Sequence, residues 1–305
     1  MTKTAFVFPG QGSQEVGMGY DLYHRSPEAK RIFDEADEAL DFSLSTLCFE
    51  GPIYKLRETI NSQPALLTVS MAHLKAAPQL NGVICPDILA GHSLGEYTAL
   101  VVANAIDFTD AVRLVRERGR LMQEAGVLEP GGMAAIIGLD QYVVEDIVRE
   151  SGAELANINC PGQIVVSGTR ESIVRSMDLA QARGAVGSVQ LEVSGAFHSR
   201  LMRPVVDGMA KAISEVKFRK PEIPVIANST ATPMNSIYEI KEELTRQICN
   251  CVLWQQSIEY MAEAGVSLFI EVGQGIVLTK LIKRIARKAK AVNTSDPEWL
   301  ESFSS

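Results

Sequence analysis

A short apolar segment that runs into a tight turn and then into an apolar helix constrains this chain most. Ile88-Leu89-Ala90 is typical of a buried strand, and Leu94–Ala103 is predicted to be helical. The junction reads Gly91-His92-Ser93-Leu94-Gly95, in which the glycines permit a sharp strand-to-helix turn. Because strand and helix patterns also alternate elsewhere in the first part of the chain, we predict an α/β fold with a parallel sheet.

The pattern changes after Glu129-Pro130-Gly131-Gly132. The predicted elements then follow the order β-α-β-β-α-β, which is the ferredoxin-like arrangement. We therefore predict a large α/β-hydrolase-like subdomain at 1–128 and 195–290, a small ferredoxin-like subdomain inserted at 129–194, and a C-terminal tail at 291–305. The predicted strands of the insertion are Met133–Gly138, Ala153–Asn157, Ile164–Ser167 and Val186–Val193.

Charge and composition exclude several classes of function. The formal net charge of −8 argues against nucleic acid as a partner, since phosphate binding needs a basic surface. No apolar run reaches the roughly 18 residues that a membrane span needs, and the N-terminal segment is too short for a secretory signal. The five cysteines have no zinc spacing, so we expect no metal site and no disulfide framework. A cytoplasmic monomer is the expectation.

Ser93 is the candidate nucleophile. It occupies the serine position of Gly-x-Ser-x-Gly, between a predicted strand and a predicted helix, which is the context that this motif requires. The turn would hold its hydroxyl at a helix N-terminus, where free N–H groups favour a developing negative charge. The alternative is a plain tight turn.

A serine nucleophile needs a general base, and the chain has four histidines. His24 lies in a polar segment, His73 falls on an apolar helix, and His92 should point away along the turn. His198 is the best base by elimination; its alternative role is structural capping. In an α/β-hydrolase the histidine comes late in the chain and follows the acid, so the position of His198 weakens that class.

Several separate motifs resemble the malonyl-CoA:acyl carrier protein transacylase family, over nearly the whole chain from Phe6 to about Ile285. The resemblance implies an enzyme that moves malonyl from malonyl-CoA to the phosphopantetheine thiol of an acyl carrier protein, without a cofactor of its own. The motifs are Phe8-Pro9-Gly10-Gln11-Gly12-Ser13-Gln14, Gln63-Pro64-Ala65-Leu66, Gly91-His92-Ser93-Leu94-Gly95-Glu96, Arg118-Gly119, Met122-Gln123, Ala196-Phe197-His198-Ser199 and Glu271-Val272-Gly273-Gln274-Gly275.

The resemblance also implies roles for residues at the matching positions. Ser93 and His198 would be the catalytic pair, and Gln11 and Leu94 would stabilise the oxyanion through backbone N–H groups. Arg118 would bind the malonyl carboxylate, because a guanidinium forms paired hydrogen bonds with a carboxylate. The remaining substrate-binding candidates are Gln63, Phe197 and His92.

In the family, backbone carbonyls orient the histidine. The matching segment here is Asn250-Cys251-Val252-Leu253-Trp254, and we assign the carbonyl to Leu253. Cys251 and Gln274 stand where the family usually has proline, which weakens the expectation of rigid loops there.

Three other functions remain open at this stage: a hydrolase that clears acyl groups from carrier proteins, a plain esterase, and a non-catalytic synthase subunit. Retention of Arg118 speaks against the first, and retention of Ser93 and His198 against the last. The pathway of the acceptor, fatty acid or polyketide synthesis, is also open.

Overall fold

A computed structural model describes residues 3–77, 80 and 84–295. The strands of these ranges form a six-stranded and a four-stranded sheet. The strands are β1 (Lys3–Phe8), β2 (Ile88–Gly91), β3 (Gly131–Ile137), β4 (Glu154–Cys160), β5 (Gln163–Thr169), β6 (Gly187–Gln190), β7 (Val225–Ile226), β8 (Pro233–Met234), β9 (Val266–Glu271) and β10 (Lys290–Asn293).

Helices cover both sheets, with short 3-10 segments at Arg200–Val205 and Gln247–Cys249. The α-helices are α1 (Tyr20–Arg25), α2 (Pro27–Leu40), α3 (Leu44–Glu50), α4 (Ile53–Arg57), α5 (Thr59–Ala76), α6 (Gly95–Val102), α7 (Phe108–Leu128), α8 (Gln141–Ser151), α9 (Arg170–Ala182), α10 (Val206–Glu215), α11 (Ile237–Arg246), α12 (Trp254–Glu263) and α13 (Val277–Ile285).

The large sheet has the order β10-β9-β1-β2-β7-β8, and its pairs are parallel apart from β7 with β8. Its central strand β1 is buried on both faces: Phe6 and Phe8 point into one apolar cluster, while Ala5 and Val7 point into another. This alternation is what a strand with helices on both sides requires. The predicted parallel α/β arrangement is confirmed.

The small sheet is antiparallel and has the order β4-β5-β3-β6. Helices α8 and α9 pack on one face around Ala134, Ile136 and Val166. On the other face, Met133 and Val165 join the core of the large sheet. With the connectivity β-α-β-β-α-β, this order is the predicted ferredoxin-like arrangement.

Two expectations about segment ends need correction. Lys290–Asn293 form β10 at the edge of the large sheet, so the residues from 291 onward do not begin a tail. Ala291 and Asn293 are buried there, and Ala291 joins the apolar cluster that contains Leu278 and Ile282 of α13. Strand β6 is shorter than predicted: Leu191–Val193 leave the small sheet and line a cavity instead. Residues 296–305 of the expected tail lie outside the described residues. In the described part of the chain, no helix is both long and apolar enough to cross a membrane.

Candidate active site

The turn between β2 and α6 holds Ser93 in a left-handed conformation, with φ of 52°. A non-glycine residue in this conformation costs on the order of 1 kcal/mol or more, so the surrounding structure must impose it. Glycine is required on both sides: a Cβ on Gly91 would lie 1.9 Å from the Gly95 backbone, and a Cβ on Gly95 would lie 2.1 Å from the Phe8 carbonyl oxygen. The strand therefore runs closely past the helix start and presents the serine at the turn.

His198 lies next to this serine although the two are 105 positions apart in the chain. Its Nε2 is 2.8 Å from Ser93 Oγ. On the other side of the ring, Nδ1 is 2.8 Å from the Gln247 carbonyl oxygen and 3.2 Å from that of Asn250. Because carbonyls can only accept, Nδ1 must carry the proton, which leaves Nε2 free to accept from the serine hydroxyl.

The assignment of Leu253 as the residue that orients the histidine is wrong. Its carbonyl oxygen accepts hydrogen bonds from Ser257 N and Ser257 Oγ, both at 2.9 Å, because Leu253 is the N-cap of α12. The carbonyls on Nδ1 come from Gln247 and Asn250, which lie several residues earlier.

Burial determines the charge state of His198. The side chain is 5% exposed, and loss of hydration, followed by the neighbouring Arg118 charge, lowers the pKa of His198 to about 3. The carbonyls on Nδ1 oppose this shift. The imidazole is therefore neutral at pH 7, which is the form that can take a proton from Ser93.

Arg118 of α7 reaches the same serine from inside the protein. It is 1% exposed, and its Nη2 donates to Ser93 Oγ at 3.1 Å. It also donates to Gln63 Oε1 at 2.7 Å and to Gln247 Oε1 at 2.8 Å, while its Nε has no hydrogen-bond acceptor among the described residues. Close packing of α7 on α5 makes this possible, since a Cβ on Gly119 would lie 2.5 Å from the Thr59 carbonyl oxygen.

A cavity of about 320 Å³ opens onto the Ser93–His198 pair between the two sheets. Gln11 and Phe197 line it, as do Leu191 and Val193 from the segment after β6. Arg118 and Gln63 do not line it; they lie behind the serine. The buried guanidinium lies 3.1 Å from Ser93 Oγ, so an acyl group attached to this oxygen would begin close to it.

The two N–H groups expected to bind an oxyanion belong to Gln11 and Leu94. The loop at Gln11 lies against the serine turn, because a Cβ on Gly10 would meet the His92 carbonyl oxygen at 2.4 Å. Leu94 follows the serine as the N-cap of α6. Neither N–H donates a hydrogen bond to any residue of the described ranges. Their role in oxyanion binding stays a prediction.

His92 lines the cavity, but its ring turns toward the small sheet. Its Nε2 is 2.9 Å from Asn159 Oδ1 on β4, and its ring centroid is 5.5 Å from that of Trp254. Burial lowers the pKa of His92. A role in substrate binding for His92 stays a prediction. In the described ranges, no group of three His, Cys, Asp or Glu side chains is placed to hold a metal ion.

Comparison with known proteins shows the family of this chain. The acyl transferase domain family matches residues 5–298. This chain belongs to that family. Malonyl CoA-acyl carrier protein transacylase of Bacillus subtilis (strain 168) is 47% identical over 306 residues, which covers 99% of this chain and 96% of that protein. The protein of the same name from Escherichia coli (strain K12) is 43% identical over 301 residues, covering 97% of each.

Solved structures of similar acyl transferases share the whole fold. An acyl carrier protein S-malonyltransferase from Vibrio cholerae superposes with a TM-score of 0.94 at 41% identity, over 99% of this chain and 100% of that one. A malonyl-transacylase in complex with its type II polyketide synthase acyl carrier protein gives 0.94 at 40% identity, over 99% and 98% of the two chains. The expected family and fold are confirmed.

Sequence reasoning missed three residues at the centre of this acyl transferase site. Asn228 Oδ1 accepts from Ser93 N at 2.7 Å, and Gln247 Nε2 donates to the Ser93 carbonyl at 2.9 Å. Glu96 accepts hydrogen bonds from both side-chain amides and from Asn228 N. Glu96 was visible as the last residue of the serine motif. Asn228 and Gln247 lie in segments without a recognised motif, and nothing local marked them.

Proposed function

We propose that this acyl transferase moves a malonyl group from malonyl-CoA to the phosphopantetheine thiol of an acyl carrier protein, through an ester on Ser93. One observation carries the proposal: Ser93 Oγ lies between the acceptor nitrogen of His198, at 2.8 Å, and the buried guanidinium of Arg118, at 3.1 Å. A nucleophile beside a buried cation suits an acyl group that bears its own negative charge.

The first half-reaction begins when Ser93 Oγ attacks the thioester carbonyl. His198 Nε2 takes the hydroxyl proton, and the carbonyl of Gln247 stabilises the resulting imidazolium through Nδ1–H. The tetrahedral oxyanion would accept from the N–H groups of Gln11 and Leu94, each worth about 3 kcal/mol. The C–S bond then breaks, His198 passes its proton to the departing CoA thiolate, and malonyl-serine remains.

In the second half-reaction a thiol is the nucleophile and Ser93 Oγ is the leaving group. The thiol of the carrier protein gives its proton to His198 and attacks the ester carbonyl. The tetrahedral intermediate collapses, the proton returns from His198 to Ser93 Oγ, and the malonyl thioester departs. No other proton donor is needed, so one histidine serves both half-reactions in a ping-pong sequence.

Arg118 explains why malonyl, a short diacid, is the proposed substrate. The malonyl carboxylate is separated from the thioester carbonyl by one methylene, so its acceptor must lie close to the nucleophile. Arg118 is that close, and its Nε has a spare N–H. Its Nη groups donate to the neutral oxygens of Gln63 and Gln247. A carboxylate is a stronger acceptor than either amide oxygen, so the malonyl carboxylate is favoured to replace an amide oxygen on the guanidinium.

Phe197 is proposed to limit the size of the acyl group. It precedes the base, lines the cavity and is 4% exposed. An α-methyl on the acyl unit would have to displace part of this ring. Such a difference is worth about 1–3 kcal/mol, which gives preference for malonyl over methylmalonyl rather than complete exclusion.

Incubation with malonyl-CoA labelled in the acyl group tests the proposal. We expect stable label on the wild-type chain, none on Ser93→Ala, and transfer to an added holo acyl carrier protein. Label that is lost to water at the same rate with and without carrier protein would indicate a hydrolase instead. A folded wild-type chain that takes up no label would indicate a non-catalytic subunit. The cytoplasmic location and monomeric state stay predictions.

A further inference from the structure

Glu96 is a buried carboxyl group that the proposed chemistry does not use. It lies in the first turn of α6, three residues after the serine, and is completely inaccessible to solvent. Burial raises the pKa of Glu96 well above its ordinary range and the Glu243 charge adds to the shift, while hydrogen bonds from Asn228 and Gln247 and the Arg118 charge oppose it. The groups that hydrogen-bond to its two oxygens are all donors, which is the arrangement that a carboxylate requires. A carboxyl group in such a place is costly unless its hydrogen bonds are satisfied, so its partners indicate its role.

Those partners are the amide groups of two side chains and one backbone N–H. Oε1 accepts from Asn228 N at 2.8 Å and from Asn228 Nδ2 at 3.3 Å. Oε2 accepts from Gln247 Nε2. A side-chain amide can sit in either of two orientations related by a 180° rotation, and its neighbours decide which one is stable. A carboxylate can only accept, so it turns the NH₂ group of Gln247 toward itself. The NH₂ group of Asn228 is held by two acceptors: the Gly91 carbonyl oxygen at 2.7 Å and Glu96 at 3.3 Å.

The orientation of both amides matters at the serine. With their NH₂ groups on Glu96, Asn228 Oδ1 accepts from Ser93 N at 2.7 Å and Gln247 Oε1 accepts from Arg118 Nη2 at 2.8 Å. Gln247 Nε2 also donates to the Ser93 carbonyl at 2.9 Å. If the Gln247 amide rotated, its NH₂ would face the guanidinium, donor against donor. Gln247 also supplies the carbonyl on His198 Nδ1.

We propose that Glu96 is a positioning residue that fixes the amide orientation of Gln247 and, together with the Gly91 carbonyl, that of Asn228. Through these amides it holds the strained Ser93 backbone and the Arg118 guanidinium. Its carboxylate touches neither substrate nor reacting atoms. The part of this inference that concerns acyl selectivity rests on the proposed malonyl transfer; the part that concerns serine reactivity does not.

The test compares Glu96→Gln with the wild-type chain and with a matched control, Glu271→Gln. Glu271 is also completely buried and accepts from Thr279 N, Thr279 Oγ1 and Leu278 N, at the start of α13. A glutamine at position 96 adds an NH₂ group that must face one of the two amides. Two rates are measured: labelling of Ser93 by a small fluorophosphonate, and acyl loading from malonyl-CoA against acetyl-CoA.

We expect Glu96→Gln to label at least tenfold more slowly than wild type, and its preference for malonyl over acetyl to fall at least fivefold. Glu271→Gln should keep both properties even if its melting temperature drops. If the role of Glu96 were purely structural, the substitution would lower the loading rates of malonyl and acetyl equally, in proportion to the folded fraction. That outcome, or wild-type labelling by folded Glu96→Gln, overturns the proposal.

A second variant covers the case in which Glu96→Gln does not fold. Gln247→Met removes the amide that Glu96 orients but keeps the backbone carbonyl for His198. It should lower the preference for malonyl over acetyl at least fivefold. An unchanged preference would overturn the claim that Glu96 positions the Arg118 guanidinium through Gln247. If wild type reacts with the fluorophosphonate but transfers no malonyl, while Glu96→Gln still labels slowly, the proposed function fails and the positioning role is supported.

Discussion

Replacement of Arg118 by methionine isolates the contribution of its charge. Methionine keeps much of the side-chain volume but offers no donor, so the malonyl carboxylate would be buried without a partner. Each hydrogen bond to a charged group contributes about 1.5–3 kcal/mol, and the exchange from neutral amide acceptors cancels about 1 kcal/mol of each. For two such bonds the net loss is about 2.5 kcal/mol at the middle of the range, or on the order of 10²-fold in kcat/KM.

The assay is the ratio of kcat/KM for malonyl-CoA to that for acetyl-CoA, since acetyl lacks the carboxylate and any loss of folded protein cancels. We expect this ratio to fall about 10²-fold in Arg118→Met. Arg120→Met is the control: Arg120 lies on the same helix and is half-exposed, with salt bridges to Glu117 and Glu124. It should leave the ratio unchanged. A ratio that stays within threefold of wild type in Arg118→Met would refute the carboxylate site.

Four further outcomes follow from the same geometry. Because burial lowers the pKa of His198 to about 3, fluorophosphonate labelling of Ser93 should stay fast well below pH 6.5; an inflection near 6.5 would contradict a neutral buried imidazole. The same depressed pKa makes the free energy of unfolding depend on pH, because the unfolded chain takes up this proton near pH 6.5 and the folded chain does not. Stability should therefore fall as the pH drops from about 6.5 toward 3, and it should fall less in His198→Gln. Phe197→Ala should raise methylmalonyl loading relative to malonyl by about 5- to 150-fold, measured by competition between the two CoA esters; an unchanged ratio would remove the ring from the specificity argument. Gly95→Ala should lower the melting temperature sharply, because its Cβ would lie 2.1 Å from the Phe8 carbonyl oxygen; normal thermal unfolding would contradict the tight turn.

Much of the fold was predictable because burial leaves a periodic signature. Helix α2, for example, spans Pro27–Leu40 and carries its buried residues Ala29, Ile32, Phe33 and Ala36 at helical spacing. The order of elements in the insertion also identified the small sheet. Strand β10 was missed because Lys290–Asn293 is short and follows a basic helix, so its few apolar residues gave no recognisable alternation. It becomes a strand only because β9 offers an unpaired edge.

Some residues of the candidate site could also be predicted from the sequence, and others could not. Ser93, His198 and Arg118 could be named from motifs, and the structure brings all three together. The carbonyls that hold the histidine were placed at Leu253, and they belong to Gln247 and Asn250. A backbone carbonyl is chemically the same at every residue, so a sequence cannot show which one will face the ring.

By itself the sequence determined the turn at Ser93, since only glycines at positions 91 and 95 let the strand pass the helix so closely. It also determined the chemical types available there: a hydroxyl, an imidazole and a guanidinium. The tertiary structure alone decided their relation, because Ser93 and His198 are 105 positions apart and meet only when the chain is folded. It also decided that Glu96 faces two amides rather than solvent, since a buried acceptor acquires its donors from whichever segments the packed core places beside it.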